Sequence, residues 1–212
     1  MICVAIAEPD INKCLQILDE VDLAEIRIDL TGFGTEQLKK VFAHKTPAVA
    51  TCRPDKMGFD KQFELLSIAI ESGAKYVDIE TEAPEFQQKR LIDLARKHSC
   101  RIIISYHNYD VTPGLRDLYE IMDTCYDQGA DVAKLAVMAY SREDAARILS
   151  LYSNGKPLIA LGMGEAGKVT RIISPLLGAE FTFAAVNDST GTAPGQISYN
   201  KLKELITHLK NV

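Results

Sequence analysis

The sequence predicts a (β/α)8 barrel. Short apolar, β-rich runs recur eight times along 212 residues, and amphipathic helical stretches separate them. No linker, low-complexity tract or charge block interrupts the series, so residues 1–212 read as one catalytic domain. Strict alternation of the two element types calls for a parallel sheet with helical crossovers. The rival is an open doubly wound sheet. It is weakened because neither a G-x-G-x-x-G nor a P-loop pattern follows the first run.

The expected strands are "ICVAIA" (2–7), "LAEIRID" (23–29), "PAVATCR" (47–53), "YVDIE" (76–80), "RIIISYH" (101–107), "VAKLAVM" (132–138), "PLIALGM" (157–163) and "FTFAAV" (181–186). The first helix, "DINKCLQILDE", has Asp10 in the N-cap place and Ile11, Leu15 and Leu18 along one face. "TEQLKKVFAHK" starts in the same way at Thr35. "FDKQFELLSIAIESG" ends at Gly73, where a helix terminus favours a residue free to take positive φ. "APEFQQKRLIDLARKHS", "TPGLRDLYEIMDTCYDQG" and "SREDAARILSLYSNG" continue the alternation. A shorter piece near "GKVTRIISPLLG" precedes strand eight, and "SYNKLKELITHLKN" closes the series.

The composition is that of a globular protein, 47% hydrophobic and 25% charged. A net charge of −5 argues against nucleic acid or an anionic membrane as the main partner. Five cysteines, odd in number and without a C-x-x-C pair, read as a reduced set rather than a disulfide framework or zinc cluster. The start "MICVAIAEPD" lacks the basic segment of a secretory signal, and no stretch approaches the ~18 apolar residues of a membrane span. The expected location is the cytoplasm.

Chemistry concentrates on one face of the strands. Side chains two apart share a side, so Glu25, Arg27 and Asp29 align on strand two, Asp78 and Glu80 on strand four, and Ser105 and His107 on strand five. Arg53 ends strand three in phase with Thr51. The Ile and Val positions suit a helix-covered layer, which leaves the charges for the barrel interior near the carboxyl ends of the strands. Active sites of this fold sit at that end. The competing explanation is a set of buried ion pairs that only fix strand register. So many acids, arginines, a histidine and a lysine are hard to justify as structure alone.

Lys134 stands in mid-strand, sharing its face with Val132, Ala136 and Met138. The bland reading is a lysine snorkelling at a sheet edge, but a closed barrel has no edge. Desolvation and neighbouring cations lower an amine's pKa, and an uncharged amine attacks carbonyls. His44, His98 and His208 fall near helix ends, whereas His107 ends a strand on the polar face. One well-placed histidine makes a poor metal site, and none is expected. The loop "GMGEAGKVTR" supplies Arg171, suited to a bidentate carboxylate contact, and "NDSTGTAPGQ" forms a glycine-rich collar after strand eight.

The motifs "EIRID", "TCRP", "VDIE", "SYHNYD", "DVAKLAVM", "MGEAGKVTR" and "TAPGQ" resemble, in order, those of type I 3-dehydroquinate dehydratase. The resemblance implies a homodimeric (β/α)8 barrel of the shikimate pathway of aromatic amino-acid biosynthesis. Its reaction would be the syn dehydration of 3-dehydroquinate to 3-dehydroshikimate without cofactor or metal. Lys134 maps onto the Schiff-base lysine and His107 onto the general acid/base. Substrate contacts map onto Glu25, Arg27, Arg53, Arg171, Thr192 and Gln196.

The segment "RPDKMGF" departs from the family pattern. Met57 stands where a glutamate usually pairs with the histidine, which leaves Glu80 and Asp55 as candidates to orient His107. Thr192 replaces a common serine and keeps the hydroxyl. The rival functions are a class I aldolase using the same lysine, a non-catalytic small-molecule-binding barrel, and a metal-dependent isomerase using Glu25, Asp29 and Glu80.

Overall fold

Strand runs separated by helices recur throughout the described residues. The computed structural model describes residues 1–55 and 57–211. Eight strands alternate with helices in the (β/α)8 arrangement. The residues pack as two compact units, Val4–Ile103 and Met1–Cys3 with Ile104–Val212.

In the first unit β1 (Ile2–Ile6), which enters it at Val4, β2 (Ala24–Arg27), β3 (Ala48–Thr51) and β4 (Tyr76–Glu80) pair in chain order, each parallel to the next. Ile26, Ala50, Val77 and Ile79 are buried, as their alternation with polar neighbours predicts. The helices are α1 (Ile11–Glu20), α2 (Ile28–Thr31), α3 (Thr35–Phe42), α4 (Gly58–Glu71) and α5 (Glu85–Lys97). Asp10 caps α1 as expected, its Oδ1 accepting from the backbone N–H of Asn12 (2.8 Å) and Lys13 (3.3 Å). Leu18 of α1 and Leu38 of α3 are fully buried, each contributing about 1.5–3 kcal/mol relative to exposure. Beyond α4, Gly73 takes φ +106°, the conformation anticipated for it.

Two expectations are corrected here. Thr35 is the first helical residue of α3 rather than its cap. The cap is Gly34, whose N–H donates to the Gln37 side chain at 3.0 Å. Strand two also stops at Arg27, and Asp29 lies in the short helix α2. There its carboxylate turns back on Arg27.

The second unit carries β5 (Arg101–Asn108), which begins in the first, then β6 (Val132–Met138), β7 (Leu158–Met163) and β8 (Thr182–Ala185). Lys134 of β6 pairs in register with Ile159 of β7, and the Thr182 N–H reaches the Met1 carbonyl at 3.1 Å. The helices are α6 (Leu115–Asp127), α7 (Arg142–Ser150), α8 (Lys168–Ile173) and α9 (Tyr199–Lys210). Helix α8 leaves β7 so closely that a Cβ at Gly167 would lie 2.3 Å from the Gly162 carbonyl carbon. Thr170 Oγ1 stitches this approach, accepting from Gly162 N (2.8 Å) and donating to Gly167 O (2.7 Å).

All five cysteines are buried, and none is in a disulfide. His44, His98 and His208 lie at helix ends, as expected. Among the described residues no helix is long and apolar enough to cross a membrane.

Candidate functional site

In the first unit the polar strand face carries a linked charge cluster. Arg27, Thr51 and Asp78 stand side by side in register across β2, β3 and β4. Glu25, 5% exposed, accepts from Thr51 Oγ1 at 2.8 Å. Arg27 forks onto Asp29, with Nε to Oδ1 at 3.1 Å and Nη2 to Oδ2 at 2.6 Å. Burial works against the Arg27 charge, but the Asp29 hydrogen bond and the nearby carboxylates outweigh it and raise its pKa. Arg53, just past β3, places Nη1 at 3.3 Å from Asp78 Oδ1 and 3.0 Å from Glu80 Oε1. Burial raises the Glu80 pKa, Asp78 adds to that, and Arg53 opposes it. The Arg27 and Arg53 guanidinium groups are therefore each held in place by carboxylates.

Of the two acids proposed to stand in for the missing glutamate, Glu80 belongs to this partly buried cluster, whereas Asp55 is exposed. Met57 lies with its Sδ 3.5 Å from Cys52 Sγ. Burial is the main cause that pushes the Cys52 thiol up to about 12, which leaves it an unreactive thiol at neutral pH.

In the second unit Lys134 sits at the middle of β6 with only 5% exposure, and its Nζ lies 4.8 Å from the centre of the Phe183 ring on β8. His107 lies within β5 rather than at its end, its ring nearly parallel to that of Tyr109 with centroids 6.3 Å apart. Arg171 on α8 is 2% exposed. Its carbonyl accepts from Thr182 Oγ1 at 2.9 Å, which ties the helix to β8.

The Arg171 guanidinium differs from those of Arg27 and Arg53. Its Nη2 reaches only the Pro194 carbonyl, at 3.5 Å, and its Nε is buried without a hydrogen-bond partner among the described residues. Burial alone pulls its pKa down to about 10, with no carboxylate offsetting it.

The collar after β8 is closed on itself and against the loop after β7. Thr192 N donates to Gln196 Oε1 at 2.7 Å, and Gln196 Nε2 returns to Thr192 Oγ1 at 3.1 Å. Gly164 N donates to Pro194 O at 3.3 Å. Gly195 stands at φ +75°, where an added Cβ would lie 2.4 Å from the Gly164 carbonyl oxygen. Gly195→Ala is expected to cost about 1–3 kcal/mol and to raise KM more than it lowers kcat, read by chemical denaturation and steady-state kinetics. Unchanged stability and KM would mean that the collar does not depend on this contact.

The model of the type I 3-dehydroquinase family matches residues 2–211. The chain belongs to that family. A 3-dehydroquinate dehydratase of Methanocaldococcus jannaschii is 36% identical over 219 residues, covering 97% of both chains. One of Methanococcus maripaludis is 35% identical over 223 residues, covering 97% of this chain and 98% of its own. The crystal structure of 3-dehydroquinate dehydratase from Geobacillus kaustophilus superposes with a TM-score of 0.86 at 25% identity, over 99% of this chain and 91% of that one.

Within this type I 3-dehydroquinase, the residues that strand parity, the loops and the family resemblance singled out divide between the units. Glu25, Arg27, Arg53 and Glu80 fall in the first, and His107, Lys134, Arg171, Thr192 and Gln196 in the second. Sequence reasoning passed over Phe183, whose only signal was its alternation with Phe181 on a two-residue period. It noted Thr51 and Asp78 but not their grip on Glu25 and Arg53. Asp29 was placed on the strand face, but its role is to hold Arg27.

Proposed function

We propose that this type I 3-dehydroquinase dehydrates 3-dehydroquinate to 3-dehydroshikimate through an imine on Lys134. The observation that carries the reading is the burial of Lys134 in the middle of β6, where an amine has no use as a surface charge. The uncharged amine adds to the substrate ketone, and loss of water gives a protonated imine. That cation withdraws electrons from the adjacent carbon, so a proton there becomes removable. His107 takes the proton, leaving an enamine, and then returns it to the departing hydroxyl. One base serving both steps suits a syn elimination. Water hydrolyses the remaining imine, frees the conjugated enone and restores the amine.

Arg171, buried and without a carboxylate, is assigned the substrate carboxylate. Glu25, Arg27, Arg53, Thr192 and Gln196 are assigned the orientation of the ring and its hydroxyls. Glu80 is favoured over Asp55 as the group orienting His107, because it is partly buried and fixed by Arg53. The same reading has the enzyme act as a homodimer in the cytoplasm, in the shikimate pathway, with no metal or cofactor.

Mixing the protein with 3-dehydroquinate is expected to produce the absorbance of a conjugated enone, at an initial rate unaffected by a strong chelator. An aldolase or a non-catalytic barrel yields no enone absorbance. Loss of activity in chelator would favour the metal-dependent reading.

A further inference from the structure

We infer that Phe183 is a positioning residue for the reacting nitrogen, holding Lys134 Nζ in its cationic state against the face of its ring. The inference rests on the reading of Lys134 as the imine-forming lysine. Its basis is geometric. Lys134 Nζ lies 4.8 Å from the ring centroid, inside the ~6 Å within which a ring's negative face attracts a cation. Both residues are almost fully buried, with Phe183 4% exposed. Attraction between a cation and a ring strengthens when water is removed from both.

The ring is itself held. Phe181, fully buried and immediately before β8, meets Phe183 edge-on at 5.4 Å and 69°. That contact fixes the tilt of Phe183. The intervening Thr182 points the other way and ties α8 through the Arg171 carbonyl. The β8 run "FTFAA" thus serves two ends, steadying the arginine helix with one face and the lysine nitrogen with the other.

The consequence for the reaction is selective. The nitrogen is positive as the protonated imine, the species that draws electrons from the neighbouring carbon. A ring face stabilises that cation and favours it over the neutral carbinolamine that precedes it. It also keeps the nitrogen beside β8 while the long lysine side chain would otherwise sample several rotamers. An aliphatic side chain of similar volume packs equally well but offers no such preference.

The test grades the ring's charge distribution without changing its shape much. Phenylalanine with one, two or three ring fluorines is incorporated at position 183 of the full-length protein. Borohydride-trapped adduct with 3-dehydroquinate, kcat and KM are then measured, alongside Phe183→Tyr and Phe183→Leu. The trapped fraction and kcat are expected to fall stepwise with each fluorine, by about three- to tenfold over the series, with KM little changed. Phe183→Tyr should retain the unmodified values, and Phe183→Leu should resemble the most fluorinated ring. A flat fluorine series, whether or not Phe183→Leu is impaired, assigns Phe183 to packing and overturns the inference. Absence of any adduct in the unmodified protein overturns the imine reading itself, and this inference with it, whereas a normal adduct with a flat series overturns only the role of the ring.

Discussion

Lys134→Ala is expected to lower kcat by about 10⁴-fold or more, with no covalent adduct formed. The size of the effect follows from the chemistry. Without an imine, the proton next to the ketone must be removed with only the carbonyl oxygen to take up charge, and nothing else among the assigned groups forms a covalent electron sink. Lys134→Met is the sharper control. It keeps the apolar stem among the packed side chains of β6 and removes only the amine, so stability should hold or rise as a desolvated cation disappears. A Lys134→Met protein that folds normally yet retains more than about a hundredth of the activity would contradict the assignment.

His107→Ala is expected to separate the two halves of the reaction. Turnover should fall by about 10²- to 10⁴-fold, the usual contribution of a positioned acid/base. The imine should still form, because the nucleophile is untouched, and the adduct should accumulate rather than vanish. Small imidazole bases added to the medium are expected to restore part of the rate. A variant that loses adduct and turnover together would move His107 from proton transfer to the binding or activation of the lysine.

The fold was readable because it is written in local pattern. Eight β-rich runs, the Asp10 cap and the terminal Gly73 each follow from spacing or backbone freedom that a linear sequence displays. Strand parity also picked out Asp78 with Glu80 and Glu25 with Arg27, since alternation on a pleat is a two-residue rule.

Parity failed at Asp29, where the chain leaves β2 for a helical turn and the two-residue rule no longer applies. It was also blind to what distinguishes the arginines. Arg27 and Arg53 are held by carboxylates two to twenty-seven positions away, while Arg171 has none, and charge compensation between distant positions is a tertiary property. Phe183 escaped for the same reason. A phenylalanine in a strand is ordinary core until the structure puts a lysine nitrogen over its face.

The distribution of charge also bears on specificity. Arg27 and Arg53 are already committed to carboxylates, so under the proposed assignment they orient ligand hydroxyls without gaining a new ion pair, whereas Arg171 would gain one. An anionic substrate group is therefore expected to derive most of its electrostatic binding from α8, steadied by Thr170 against β7 and by Thr182 against β8.

The central claim is a covalent bond between Lys134 and the substrate carbon. The direct measurement is intact and peptide mass spectrometry after borohydride reduction of the working enzyme with 3-dehydroquinate. A single stable adduct on the peptide containing Lys134, together with loss of activity in proportion to labelling, is the predicted result. Active enzyme that shows no mass increase, or an adduct carried by another lysine, would contradict it.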